Sequence, residues 1–272
     1  MFDQAIHRWL RVPYTLHVHT DQRAKQSRAT VLFLHGIGNS GAAWDEVVSK
    51  LPNNINIISI DLLGFGKSPR PSWVIYNAKT QARSVVATLL KLRITGPVIL
   101  VGHSLGALVS VEVAKRYPLF VNRLILFSPP FYRISKETRR LTPTADKMRR
   151  EIYQLVKQRP DQFIRITSLA LKLGLLNRAF TLTEADAPIY FNAFEASILN
   201  QTSLEDASRL YVPTAIAYGR FDPVVSGRTL RYLAKRNALV RLIPVLASHE
   251  IVGPFIDVAV KTIVDAVEST GN

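Results

Sequence analysis

Short apolar runs rich in β-branched residues alternate with amphipathic windows of helical period along most of this chain. Strands that alternate with helices are typical of a parallel sheet, because each helical crossover returns the chain to the same end of the sheet. We therefore predict an α/β fold, with a mostly parallel central sheet and helices on both faces. The predicted strands are residues 14–20, 30–34, 55–60, 98–101, 123–127, 214–218 and 240–245. The predicted helices begin near residue 41 and cover residues 76–92, 105–117, 227–236 and 254–267.

One long segment interrupts this alternation. Residues 131–210 are helical in pattern and contain no convincing buried strand. They are far longer than an ordinary connection of a few residues. We predict a core domain made of residues 1–130 and 211–272, with residues 131–210 inserted as a helical cap.

The composition excludes several classes of protein. With 47% hydrophobic and 20% charged residues, the chain can form a packed core. It contains no cysteine, which excludes a disulfide framework, a thiolate nucleophile, an iron–sulfur cluster and a cysteine zinc site. No apolar run approaches the roughly 20 residues that span a bilayer. Because residues 1–20 also lack a signal-like apolar stretch, we expect a cytoplasmic protein.

The chain is strongly basic, with 35 Lys and Arg against 20 Asp and Glu and a net charge of +15. Zinc-finger spacing and RNP-like aromatic motifs are missing, so we do not expect a nucleic-acid partner. One stretch concentrates the charge on Arg133, Lys136, Arg139, Arg140, Lys147, Arg149 and Arg150. A solvated helical face explains this stretch, and a positive rim that attracts anionic substrates is a further hypothesis.

Two glycine-rich motifs suggest nucleotide binding. Gly36, Gly38 and Gly41 form G-x-G-x-x-G between a predicted strand and a helix, and Asp61 follows 20 residues after Gly41. This is the formal pattern of a dinucleotide site, so a nicotinamide-dependent oxidoreductase is one alternative. Gly66 belongs to the end of a P-loop pattern whose first glycine is replaced by Asp61, so the phosphate cradle is incomplete.

A third motif indicates nucleophilic catalysis. Gly102-His103-Ser104-Leu105-Gly106 is a G-x-S-x-G sequence that lies between a predicted strand and a predicted helix. This is the context of a nucleophile elbow, in which flanking glycines allow a tight turn and a strained backbone at the serine. The helix N-terminus beneath Ser104 would favour developing negative charge.

A serine nucleophile requires a general base and an acid that orients it. Asp222 follows the predicted strand 214–218, and His249 follows the predicted strand 240–245. His249 is the one histidine downstream of Ser104, so it is the candidate base. The sequence therefore predicts Ser104, Asp222 and His249 as catalytic residues.

Together these motifs resemble the α/β-hydrolase superfamily, in its esterase- and lipase-like branch with a helical cap, over nearly the whole chain. Two further family motifs are present: H-G-x-G from His35 to Gly38, and D-x-x-G-x-G-x-S from Asp61 to Ser68. The resemblance explains both glycine motifs, whereas a dinucleotide-binding protein would leave the predicted catalytic residues without a role. It therefore disfavours the nucleotide-binding alternative.

The resemblance implies an α/β-hydrolase fold and an oxyanion hole formed by the backbone amides of Ile37 and Leu105. It implies a structural role for Asp61, and packing and hydrogen-bonding roles for His35 and His103. Neither a cofactor nor a metal is expected. Because the nucleophile is serine rather than aspartate, epoxide hydrolases and haloalkane dehalogenases are disfavoured.

The expected substrate is a small-molecule carboxylic ester with a short to medium acyl chain. A carbon–carbon bond hydrolase of ring-cleavage products is an alternative, although Asn39 and Glu250 depart from the motifs of that group. Lipase, thioesterase, lactonase and aminopeptidase activities stay open, as does a weakly catalytic ligand-binding role. The apolar cap residues that could line the pocket are Phe163, Leu169, Leu171, Leu175, Leu176, Phe180, Tyr190, Phe191 and Phe194. The oligomeric state is not predicted.

Overall fold

A computed structural model describes residues 2–132 and 143–270. Within these residues the strands form one seven-stranded sheet in the order β1-β3-β2-β4-β5-β6-β7. The first strand is antiparallel to its neighbour, and the other pairs are parallel. The strands are β1 (Val18–Gln22), β2 (Thr30–Leu34), β3 (Asn56–Ile60), β4 (Val98–His103), β5 (Val121–Phe127), β6 (Thr214–Gly219) and β7 (Val240–Val245). The predicted mostly parallel sheet is confirmed.

Helices cover both faces of this sheet. The α-helices are α1 (Phe2–Trp9), α2 (Asp45–Val48), α3 (Ala78–Lys91), α4 (Leu105–Arg116), α5 (Pro143–Gln158), α6 (Pro160–Lys172), α7 (Ala187–Ala193), α8 (Ser203–Ala207), α9 (Gly227–Arg236) and α10 (Pro254–Glu268). Alternate side chains of β2 divide between two cores, as expected for a strand buried on both faces. Leu32 packs in the same cluster as residues of α3, α4 and α9, and Phe33 packs with residues of α2 and α10.

The first strand begins later than predicted. Tyr14 and Leu16 are buried as the alternating pattern suggests, but they precede β1. The amide of Leu16 donates to the Thr88 hydroxyl, and that of His17 donates to the Ser68 hydroxyl. The amides of Leu16 and His17 therefore donate to side chains, although the His17 carbonyl accepts from the Asp61 amide just after β3. The helix predicted near residue 41 is a 3₁₀ turn, Gly41–Trp44, followed by the short α2.

Helices also occupy the described part of the segment between β5 and β6. Helices α5 to α8 and a π-helical turn, Phe194–Leu199, follow one another there, and that part contains no strand. Phe163, Tyr190 and Phe194 belong to the same buried cluster as the sheet residues. The Thr181 amide also donates to the Gly38 carbonyl at 2.8 Å, which ties this segment to the loop after β2. The cap boundaries at residues 131 and 210 stay a prediction.

None of the helices in residues 2–132 and 143–270 is long and apolar enough to cross a bilayer.

Candidate active site

The predicted site residues follow four parallel strands at the ends where those strands finish. Ile37 follows β2, Ser104 follows β4, Asp222 follows β6 and His249 follows β7. The carboxyl ends of parallel strands lie at one edge of a sheet, which is where α/β proteins bind ligands. The topology therefore brings together residues that are far apart in the sequence.

The turn at Ser104 is strained. Ser104 has φ of 51° and ψ of −113°, and it immediately precedes α4. Positive φ is uncommon for a residue with a side chain and persists only where the surroundings hold it. The Ser104 amide donates to the Phe127 carbonyl at 3.0 Å, which holds the turn against β5. The serine side chain is thereby presented at the edge of the sheet.

The two glycines of the motif allow α4 to lie close to the sheet. A Cβ atom on Gly106 would lie 2.2 Å from the carbonyl oxygen of Leu34, and one on Gly102 would lie 2.5 Å from the carbonyl oxygen of Gly106. Backbone atoms in buried elements cannot move aside as the end of a flexible side chain can. Larger residues at these two positions would therefore push the helix away from the sheet.

Replacing Gly106 with alanine should destabilise the fold, because the new methyl group overlaps backbone atoms of β2. We expect a loss of about 3 kcal/mol, which corresponds to a fall in Tm of roughly 6–12 °C for a domain of this size. Thermal unfolding measures the change. Gly96→Ala is the matched control, since nothing lies within 4 Å of a Cβ atom there. Equal Tm values for the two variants would contradict the close approach of α4 to β2.

Ser104, His249 and Asp222 form a hydrogen-bonded chain. The Ser104 hydroxyl lies 3.1 Å from Nε2 of His249, and Nδ1 of His249 lies 2.7 Å from Oδ2 of Asp222. The other carboxylate oxygen of Asp222 accepts hydrogen bonds from the amides of Val224 and Val225, at 2.8 and 3.1 Å. The Asp222 side chain is fully buried. Its orientation is therefore set on one side by the backbone and on the other by the imidazole.

The pKa values of the acid and the base move in opposite directions. Burial favours the neutral form of Asp222, but the neighbouring His249 and the hydrogen bonds to the carboxylate outweigh burial and lower the pKa of Asp222. Burial also disfavours a charged His249, but the charge and hydrogen bond of Asp222, with the charge of Glu250, raise the pKa of His249. The site therefore favours an ionised Asp222 and stabilises a proton on His249.

The amides of Ile37 and Leu105 have no hydrogen-bond acceptor within residues 2–132 and 143–270. Leu105 is the first residue of α4, whose amide lacks an intrahelical partner. The loop that carries Ile37 lies against the turn, since a Cβ atom on Gly36 would be 3.3 Å from Cβ of Ser104. Both amides are therefore available to a ligand near the serine.

Asp61 organises the loops beside the site. Its carboxylate accepts hydrogen bonds from the amides of Gly41 and Lys67, each at 2.7 Å, and lies 3.0 Å from Nδ1 of His17. Asp61 thus joins the loops after β2 and β3 to the segment before β1. The carboxylate makes these contacts within the protein, in agreement with the structural role expected for it.

Two buried histidines support the backbone of the site. Burial lowers the pKa of His35 to about 4, so this ring is neutral at pH 7. Its Nε2 accepts a hydrogen bond from the Leu62 amide, and its Nδ1 donates to the Gly36 carbonyl at 2.7 Å. The Nε2 of His103 lies 3.0 Å from the carbonyl oxygen of His249, and burial lowers the pKa of His103. Both rings act as packing and hydrogen-bonding groups.

A cavity of about 320 Å³ adjoins Ser104 and His249. Six of the apolar side chains from the predicted cap line it: Phe163, Leu175, Leu176, Phe180, Tyr190 and Phe194. Leu169 is exposed instead, and Phe191 packs against Tyr153 with ring centroids 5.3 Å apart. The cavity wall is mostly apolar, so it suits an uncharged hydrocarbon group.

Sequence reasoning did not assign Asn39 or Glu250 to the site. Both are buried and line the cavity. Their positions next to the H-G-x-G motif and the predicted base are the only signals that could have indicated them. The seven basic side chains between Arg133 and Arg150 lie outside the side chains that the structure describes, so the positive rim stays a hypothesis.

Among the described residues, one group could supply several metal ligands. Single ligand atoms of His103, His249 and Glu250 lie within 4.8 Å of one another. Both ring nitrogens of His249 already contact protein groups, and so does Nε2 of His103. A metal would have to displace these contacts, so the group does not favour a metal centre.

A family model described as alpha/beta hydrolase fold matches residues 29–251 of the chain. The lipase LipV of Mycobacterium tuberculosis is 36% identical over 115 residues, which are 42% of this chain and 42% of that protein. The probable lysophospholipase BODYGUARD 2 of Arabidopsis thaliana is 29% identical over 117 residues, 41% of this chain and 25% of that protein. The chain thus matches less than half the length of either relative.

Solved structures share the fold over nearly the whole chain. A thermophilic esterase from Thermogutta terrifontis is similar with a TM-score of 0.71 and 19% identity, over 94% of each chain. The enol-lactonase from Burkholderia xenovorans LB400 is similar with a TM-score of 0.71 and 22% identity, over 93% of this chain and 96% of that one. At these identities the similarity establishes the fold and leaves the substrate open.

Proposed function

Because this chain belongs to the α/β-hydrolase family, we propose that it is a serine hydrolase that cleaves carboxylic esters. The observation that carries the proposal is the hydrogen-bonded chain from Ser104 through His249 to Asp222. These three side chains meet beside a mostly apolar cavity. A nucleophile, a base and an orienting acid in this arrangement are what acyl transfer to a serine requires.

In the proposed reaction, the Ser104 oxygen attacks the ester carbonyl while Nε2 of His249 takes the hydroxyl proton. The carbonyl oxygen becomes an oxyanion and accepts hydrogen bonds from the amides of Ile37 and Leu105. The tetrahedral intermediate then expels the alcohol, which receives the proton from His249. The result is an acyl group bound covalently to Ser104.

Water completes the cycle by the same steps. His249 takes a proton from water as the water oxygen attacks the acyl carbonyl, and a second tetrahedral intermediate forms. Its collapse releases the carboxylic acid and returns the proton from His249 to the Ser104 oxygen. Asp222 holds the imidazole in one tautomer and stabilises the positive charge that it carries twice in each cycle.

The cavity supports a short to medium acyl chain. Its volume of about 320 Å³ lies at the lower end of the range for small-molecule sites. Aromatic and aliphatic side chains from the segment between β5 and β6 line much of it. The names of the relatives support ester chemistry, since they include a lipase, a probable lysophospholipase and an esterase.

The proposal predicts hydrolysis of p-nitrophenyl esters, with the highest kcat/KM between acetate and octanoate and a decline towards palmitate. It also predicts covalent labelling of the serine by an alkyl fluorophosphonate, because the phosphonyl group resembles the tetrahedral intermediate. Release of p-nitrophenol measures the first result, and mass spectrometry of the peptide that contains Ser104 measures the second. If esters were not hydrolysed and Ser104 were not labelled, the proposal would fail, and ring-cleavage dienones and thioesters would be the next substrates.

A further inference from the structure

Glu250 is an acid in an otherwise mostly apolar cavity. It follows His249 directly, lines the same cavity and is only 9% exposed. One of its carboxylate oxygens, Oε2, is buried and has no hydrogen-bond donor within the described residues. In the ester hydrolysis proposed above, Glu250 acts only through its charge, which helps to raise the pKa of His249, and no step uses its unpartnered oxygen. The carboxylate therefore requires a separate explanation.

A second residue of the cavity lining also carries a buried side-chain oxygen without a hydrogen-bond donor in the described part of the chain. The side-chain oxygen of Asn39 is also buried without a partner among the described residues, and Asn39 lines the same cavity. The described lining residues include no lysine or arginine, and Glu250 is the one acid among them. The Nε2 atoms of His103 and His249 already contact the His249 carbonyl and the Ser104 hydroxyl.

An unpaired buried carboxylate is costly. Leaving a buried acceptor without a donor costs roughly 1–3 kcal/mol, and more when the group is charged. The Oε2 atom has almost no accessible surface, so a cation in the cavity would have to meet the carboxylate at its other oxygen, where a charge-assisted hydrogen bond would offset the cost of the buried charge. An amine on the ligand is therefore a chemically suitable partner for Glu250.

Aromatic rings in the cavity also suit a cation. Phe163 and Tyr190 line it, and their ring centroids lie 5.6 Å apart. Aromatic faces attract ammonium groups through their electron-rich π-systems. Burial, and after it the charge of Glu250, raise the pKa of the Tyr190 hydroxyl. The acid and the two rings thus line one cavity.

We infer that Glu250 forms a cation subsite in the substrate cavity, where it binds a protonated amine carried by the ester. This inference rests on the proposed function, because it names the class of ester that the same site prefers. The subsite would select a local feature of the substrate. The overall charge of the chain would not attract such a substrate, since a net charge of +15 repels an ammonium ion.

Binding tests the subsite independently of catalysis. Isothermal titration calorimetry should show that the wild-type protein binds n-hexylammonium at least about tenfold more tightly than 1-hexanol. Glu250→Gln removes the charge with almost no change in shape and should abolish that preference. Glu268→Gln is the matched control, because Glu268 is exposed at the end of α10 and should leave the preference as it is in the wild type. Equal binding of the two probes by the wild-type protein would overturn the subsite without any variant.

Ester hydrolysis tests whether the subsite binds the amine of a substrate. The substrates are p-nitrophenyl 6-aminohexanoate and p-nitrophenyl heptanoate, in which a methyl group takes the place of the ammonium. The ratio of their kcat/KM values should fall by about tenfold in Glu250→Gln and should not change in Glu268→Gln. If the wild-type protein preferred n-hexylammonium in binding but hydrolysed both esters with the same kcat/KM, Glu250 would not bind the amine of an ester substrate, and the inference would be overturned.

The two proposals fail in different ways. If the wild-type protein hydrolyses neither ester but still prefers n-hexylammonium through Glu250, the hydrolase proposal fails and the cation site stands. If both esters are hydrolysed without a preference that depends on Glu250, the cation subsite fails and the hydrolase proposal stands.

Discussion

Ser104→Ala should lower kcat/KM for p-nitrophenyl butyrate by about 10⁴-fold or more. The substitution removes the only side-chain atom that lies within hydrogen-bond reach of Nε2 of His249 among the described residues. Without it, an acyl group cannot be transferred to the protein, and hydrolysis would depend on direct attack by water. Initial rates with the wild-type protein and the variant measure the loss, and fluorophosphonate labelling should disappear with it.

The matched control is Ser49→Ala, because Ser49 lies on the surface and its hydroxyl donates to the Glu46 carbonyl. This variant should hydrolyse the ester at the wild-type rate. Circular dichroism should show that both variants are folded. Activity in Ser104→Ala within tenfold of the wild type would mean that another residue performs the chemistry, and the proposed mechanism would have to be abandoned.

Asp222→Asn should lower kcat by roughly 10³- to 10⁴-fold. The amides of Val224 and Val225 donate to Oδ1 of Asp222, so they should hold the carbonyl oxygen of the asparagine in the same place. The NH₂ group would then replace Oδ2 and face Nδ1 of His249. Because NH₂ is a donor, it favours the tautomer whose proton lies on Nε2, and that nitrogen can no longer accept the Ser104 proton.

The pH dependence follows from the pKa of His249. The base must be neutral, so activity should be lost as the pH falls through this pKa, which Asp222 raises above the ordinary value of 6.5. The acidic limb of the wild-type kcat/KM profile should therefore lie above pH 6.5. In Asp222→Asn the raising effect of Asp222 is lost, while burial and the weaker effect of Glu250 remain, so the acidic limb should move to lower pH.

Profiles of kcat/KM against pH for the wild type, Asp222→Asn and Asp257→Asn test whether the acidic limb moves to lower pH. Asp257 is the matched control, since its side chain is 82% exposed and contacts Lys50 on the surface. Its profile should coincide with that of the wild type. An acidic limb that stays in place in Asp222→Asn would show that His249 does not set it.

The sequence pattern predicted the sheet well where strands are buried on both faces. Six of the seven strands lie within two residues of their predicted bounds. Five of these six, β2 to β6, are mostly buried parallel strands rich in apolar residues, whereas β7 lies at the sheet edge and is partly exposed. The pattern placed β1 too early, since burial of Tyr14 and Leu16 does not require them to join a neighbouring strand. Helix α1 was not predicted, and of its apolar residues with described side chains, Ile6 and Trp9 are exposed and do not join the core.

The sequence by itself determined the fold class, the order of the candidate residues and the strand that each of them follows. These properties depend on local chemistry, such as two glycines around Ser104 between a strand and a helix. They are therefore visible without coordinates.

Only the tertiary structure decided which groups meet. Ser104 and His249 are 145 residues apart in the chain, yet their side chains lie 3.1 Å apart because β4 and β7 end at the same edge of the sheet. The cavity likewise depends on how the segment between β5 and β6 packs over that edge. Glu250 is buried beside His249 in the lining of this cavity, although a glutamate in a loop gives no sign of burial in the sequence.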